Sequence, residues 1–89
     1  MENKKRAKPT LPCPCCGCIT MFERDAWEIC PVCFWEDDPI QYERQDYAGG
    51  ANPVSLREAQ ENYRRFGACE VNMLQFVRSP LPEELLPAQ

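Results

Sequence analysis

The chain has 89 residues, seven cysteines, no histidine and a formal charge of −4. That length gives one domain at most, with too little buried apolar surface for comfortable stability, and a structural metal is a usual remedy. No apolar run is long enough to cross a bilayer, and without histidine the chain lacks the commonest general base and the commonest catalytic zinc ligand.

Residues 1–10 are polar and hold Lys4, Lys5, Arg6 and Lys8. They read as a flexible basic tail. No signal peptide opens the chain, and the expected setting is cytoplasmic. From residue 9 onward, thirteen acidic side chains outweigh six basic ones. An acidic body argues against general nucleic-acid binding, which rests on phosphate neutralisation.

The stretch that carries chemistry is Cys13-Pro14-Cys15-Cys16-Gly17-Cys18, followed by Cys30-Pro31-Val32-Cys33-Phe34. In a Cys-x-x-Cys turn both sulfurs can reach one ion, and a second such turn completes a tetrahedron of four thiolates. Cys13, Cys16, Cys30 and Cys33 are the expected metal ligands. Thirteen residues lie between Cys16 and Cys30, which leaves room for a hairpin.

Cys15 and Cys18 form a competing Cys-x-x-Cys register. The first register is preferred because Gly17 then follows the second ligand, where a turn under a metal often needs positive φ. Pro14 and Pro31 also then fall at equivalent places. Disulfides are the competing use of these cysteines, but closely spaced pairs in a reducing compartment bind metal more often. A thioredoxin-like redox site needs a βαβ pattern that is missing here.

Around these turns, residues 18–22 read as a strand, residues 23–25 as a turn and residues 26–29 as the returning strand. Phe34 and Trp35 continue as a third extended piece. Phe22, Trp27, Phe34 and Trp35 are the expected core aromatics. Trp35 is read as a half-buried packing residue, with an exposed partner anchor as the sharper reading.

Glu36, Asp37 and Asp38 follow at once, within an acidic and glycine-containing loop over residues 37–54. Three adjacent carboxylates repel one another, so the segment is expected to be solvated or engaged with a cation. A hard-cation site built from Asp37, Asp38 and Asn52 is the enzymatic alternative. Gly49-Gly50 marks a turn and not a phosphate loop.

Ser55-Leu56-Arg57-Glu58 is a capping box that opens a helix over residues 55–66, ended by Gly67. Leu56, Ala59, Tyr63 and Phe66 form its packing face, and Glu61 is placed to pair with Arg65. Cys69 reads as a buried small hydrophobe. Met73, Leu74 and Val77 suggest a short second helix inside a C-terminal segment over residues 68–84. Residues 85–89 read as a tail.

These residues resemble the cysteine-rich CPCC domain family, named for the Cys13-to-Cys16 motif. The likeness continues through Cys30-Pro31-Val32-Cys33-Phe34-Trp35-Glu36-Asp37-Asp38, Gly49-Gly50-Ala51-Asn52, Ser55-Leu56 with Glu58-Ala59, Asn62-Tyr63, Phe66-Gly67-Ala68 and Arg78 with Pro80. It covers about residues 11–84. The resemblance implies a small, mostly bacterial, metal-binding domain and brings no established activity with it.

The expected fold is therefore a small α+β metal ribbon: zinc-ribbon or rubredoxin-like hairpins over residues 11–36, covered by one C-terminal helix. The expected function is a structural Zn2+ ribbon that serves as a protein-interaction module. The alternative is a rubredoxin-like iron protein in electron transfer, because the same four thiolates also bind iron.

Overall fold

Each Cys-Pro turn closes its own small hairpin. These hairpins, and all that follows, are seen in a computed structural model that describes residues 8–85. Of the tails expected over residues 1–10 and 85–89, residues 1–7 and 86–89 lie outside the described residues.

Strand β1 (Leu11–Pro12) pairs antiparallel with β2 (Ile19–Met21), Leu11 opposite Met21 and Pro12 opposite Ile19, with an irregularity between. The first cysteine turn fills the tip between them. The second turn is flanked by a lone antiparallel bridge between Ile29 and Glu36. This corrects the expectation of one hairpin running from knuckle to knuckle. Pairing runs across each knuckle, and residues 26–29 form no strand. The reason is local: both turns reverse the chain tightly, which places their own flanks within ladder distance.

In the acidic segment, the second of the two expectations holds at Asp37, which is engaged with the Arg24 guanidinium at 3.3 Å. Asp37 and Asp38 are buried, not solvated. Asp38 caps a short helix α1 (Pro39–Glu43), accepting from the Ile40 N–H at 2.8 Å and the Gln41 N–H at 3.4 Å. Asp at the N-cap with proline next in line is a strong helix start. Asp38 also accepts from the Ala51 N–H at 2.8 Å, which ties α1 to the Gly49–Asn52 turn. Gln41, wholly buried, completes that tie. Its amide donates to the carbonyls of Tyr47, Asn52 and Val54 and accepts from the Asn52 N–H and side chain.

Helix α2 (Leu56–Phe66) forms as expected. Ser55 accepts from the Glu58 N–H at 3.1 Å, and Gly67 ends the helix at φ 95°. Leu56 and Ala59 are buried, while Tyr63 packs partly buried against the same core. Glu61 pairs with Arg64 at 2.8 Å and not with Arg65. The expected second helix is a 3₁₀ helix, η1 (Val71–Phe76), and a 3₁₀ turn, η2 (Pro82–Glu84), follows. Arg78 holds Glu84 through two short bonds of 2.9 and 2.8 Å. This guanidinium keeps the Glu84 carboxyl below its usual range.

The core lies between the two knuckles and α2. It gathers Met21, Val32, Trp35, Leu56 and Ala59 with six cysteines. Trp35 is fully buried, deeper than the half-buried role expected and incompatible with an exposed anchor. Phe22 and Trp27, expected inside, are about half exposed. The backbone explains the exchange. Trp27 sits at φ 60° in a tight loop and is not part of the core, whereas Trp35, just past the second knuckle, lies in one buried cluster with Leu56 and Ala59 of α2.

Candidate metal centre

The two cysteine turns have the same backbone design. In the first, the Gly17 N–H donates to the Cys13 carbonyl and the Cys13 N–H to the Cys18 carbonyl, both at 2.8 Å. In the second, the Phe34 N–H donates to the Cys30 carbonyl at 2.8 Å and the Cys30 N–H to the Trp35 carbonyl at 3.0 Å. Gly17 takes φ 83° and Phe34 takes φ 72° at the matching position. Positive φ turns the chain beneath the sulfurs, and glycine does this without strain while phenylalanine does not. Phe34 is held there by stacking on Phe76, with ring centroids 5.2 Å apart.

This design brings the Sγ atoms of Cys13, Cys16, Cys30 and Cys33 within 4.8 Å of one another. Cys13 lies 3.6 Å from Cys33, and Cys16 lies 3.7 Å from Cys30. Four thiolates set about 2.3 Å from one ion stand about 3.8 Å apart along the edges of their tetrahedron. The donor set therefore fits a tetrahedral ion in number, atom type and spacing. Cys13, Cys30 and Cys33 are buried and Cys16 is partly so, which shields the centre.

Backbone amides point at the sulfurs. The Cys15 N–H approaches the Cys13 Sγ, the Cys18 N–H the Cys16 Sγ, and the Val32 N–H the Cys30 Sγ, each at 3.4 Å. Thr20 adds a hydroxyl at 3.1 Å from the Cys30 Sγ. These donors stabilise negative sulfur. The Cys30 thiol is accordingly pushed far down by bonds from Cys13, Cys16 and Cys33, with Thr20 assisting. The Cys16 thiol is pushed up by its contact with Cys13 and then with Cys30. Four sulfurs this close cannot all carry charge unless a cation sits among them.

Elements outside the knuckles lock them in place. Gln60 of α2 donates to the Pro14 carbonyl at 2.9 Å. The Cys69 N–H donates to the Cys33 carbonyl at 2.8 Å, and the Arg78 N–H to the Pro31 carbonyl at 3.3 Å. The chain after α2 thus straps the second turn while α2 itself holds the first. Neither Thr20 nor Gln60 was visible as a site residue in the sequence.

The remaining cysteines serve differently. Cys15 and Cys18 stand in the first turn where Val32 and Trp35 stand in the second, and all four are buried. Cys69 is buried as expected, and burial pushes its thiol up to about 12. A thiol so raised stays protonated and unreactive near neutral pH.

The alternative hard-cation site finds little support. Asp37 Oδ2 already takes Arg24 at 3.3 Å and the Asp25 N–H at 3.0 Å. Asp38 is committed to three backbone amides, and the Asn52 side-chain Oδ1 accepts from the Glu36 N–H at 3.0 Å. These groups knit the acidic segment to the ribbon. None of the described helices is long and apolar enough to cross a membrane.

The family described as Cysteine-rich CPCC has a sequence profile that matches residues 11–84, and the chain belongs to that family. No curated protein matches it.

Proposed function

From that membership and the geometry of the centre, we propose that this protein is a structural zinc domain that acts as a protein-interaction module. Cys13, Cys16, Cys30 and Cys33 hold the ion. The observation that carries this reading is the closed set of four sulfurs at tetrahedral spacing. A site closed by four thiolates leaves no open coordination position for water or substrate, so the ion's contribution is to the fold. The acidic surface favours a basic or neutral partner over nucleic acid.

A second reading is a rubredoxin-like iron protein that transfers electrons. Amides directed at sulfur favour it, because such bonds tune an iron–thiolate couple. Phe34 weighs against it. The first knuckle aims two amides at sulfur, at Cys13 and Cys16, whereas in the second only the Val32 amide reaches a sulfur among the described residues.

Elemental analysis of the purified protein, with an optical spectrum of the same sample, separates the two. One equivalent of zinc in a colourless solution is expected. One equivalent of iron with a red oxidised spectrum would replace the structural reading with electron transfer. Cys13→Ser or Cys33→Ser should lower the metal content, while Cys15→Ser and Cys18→Ser should leave it at one equivalent. Loss of the metal from Cys15→Ser or Cys18→Ser alone, with full content in Cys13→Ser, would assign the ion to the other register.

A further inference from the structure

Residues 22–28 form a loop that is both strained and pinned. Asp25 and Trp27 take φ 64° and 60°, in the left-handed region. An L-residue is strained in that region, so surrounding bonds must hold the shape. Those bonds are present. Glu28 folds its carboxylate back onto the loop, accepting from the Phe22 and Glu23 N–H groups, each at 2.9 Å. Buried Asp37 accepts from the Asp25 N–H at 3.0 Å and from Arg24 at 3.3 Å. Arg24 also donates to the Pro12 carbonyl at 2.7 Å and lies over the Tyr42 ring at 5.1 Å from its centroid.

What this rigid loop presents is apolar. Phe22 is 52% exposed and Trp27 48%, and Ile29, just beyond the loop, is 48% exposed. An aromatic held outward in a strained but fixed backbone loses little entropy when it is covered, which is the property of a binding anchor. The charge beside it has one sign. Glu23 and Asp25 are exposed, Glu28 is partly so, and Arg24, the loop's only cation, is spent on buried Asp37.

We propose that the loop over residues 22–28, with Trp27 as its anchor, is the docking surface of the module and takes a basic protein segment that carries apolar side chains. Apolar groups cover Trp27 and Phe22, and lysine or arginine side chains meet Glu23 and Asp25. The inference rests on the interaction-module reading and gives that reading a place and a partner chemistry.

The test uses the metal-loaded full chain and a short synthetic peptide of alternating lysine and leucine. Trp35 is fully buried, so changes in tryptophan emission on adding peptide report Trp27. Saturable binding is expected, with a blue shift of that emission and weakening as salt is raised. Phe22→Ala should weaken it about thirtyfold, the size of a hot-spot residue. Trp27→Ala, followed by calorimetry, should do the same with metal content unchanged. Glu28→Ala should also weaken it by freeing the loop, and Leu74→Ala, on η1, should not.

Equal binding by Trp27→Ala, or by a peptide with glutamate in place of lysine, would overturn the proposal. So would a blue shift that grows with protein concentration without peptide, because the occupant would then be a second copy of the chain. Failure of the peptide on a zinc-loaded protein removes this surface alone. Finding iron in place of zinc removes the module reading itself.

Discussion

At the scale of single residues, two glycines show how differently the same substitution acts. Gly17 sits at φ 83°, and a Cβ built there meets nothing within 4 Å. Gly17→Ala therefore costs only the backbone conformation, about 1 kcal/mol. Gly50 has no special φ, yet a Cβ there falls 2.5 Å from Asp38 Oδ2 and 3.0 Å from Gln41. Both neighbours are buried and hydrogen-bonded, so neither can yield freely. Gly50→Ala should cost more than Gly17→Ala, about 1–3 kcal/mol as overpacking. Urea midpoints of the two variants check this, and the reverse order would show that the acidic segment is softer than its bonds imply. The sequence showed Gly17 correctly because a cysteine turn states its own geometry over five residues. It could not show that Trp35 is buried and Trp27 exposed. Composition ranks the two alike, and the difference lies in a backbone turn at Trp27 that no spacing encodes.

At the scale of elements, legibility follows the range of the interactions. Helix α2 was readable because its cap, its stripe and its terminal glycine are all local signals. Helix α1 carried an equally local signal in Asp38-Pro39, but the run of carboxylates argued for a solvated loop. What reverses that argument is long-range. Arg24 and the amides of Asp25 and Ala51 neutralise and bind the acids from distant parts of the chain. The same holds for Gln41, which serves as the hub for residues 47–54. Gln41→Leu would leave the Tyr47 and Val54 carbonyls and the Asn52 backbone N–H without a partner in a buried place, while the Asn52 carbonyl keeps the Gly49 N–H at 3.2 Å and the Asn52 side-chain amide keeps the Glu36 carbonyl at 2.9 Å. Each such orphan costs about 1–3 kcal/mol, offset in part where water enters. A loss of about 3 kcal/mol or more is expected in urea unfolding. Metal stoichiometry should stay at one equivalent, because none of the four sulfurs touches this network. A near-neutral result would mean that the turn over residues 47–54 holds without its hub.

At the scale of the whole molecule, the metal centre and the apolar core are one body. Cys13, Cys30 and Cys33 belong to the same buried cluster as Trp35, Leu56 and Ala59, and α2 and its following segment bond directly to both knuckles. A small domain of this kind has little stability to spare once its ion is removed. Removing the ion should therefore unfold more than the ribbon. On titration with a strong chelator, the far-ultraviolet signal of α2 and the near-ultraviolet signal of buried Trp35 should fall together, at one equivalent of metal released. Adding the metal back should restore both, and an excess of the free ion should raise the melting temperature in proportion to the logarithm of its concentration. The informative failure is a split transition. If Trp35 loses its fixed environment while α2 stays helical, then the helix and residues 37–54 form a separate folding unit, and the straps from Gln60 and Cys69 transmit nothing. If both signals persist after the metal has left, packing of the cysteines as small apolar groups suffices for the fold, and the four sulfurs hold their ion for a purpose other than stability.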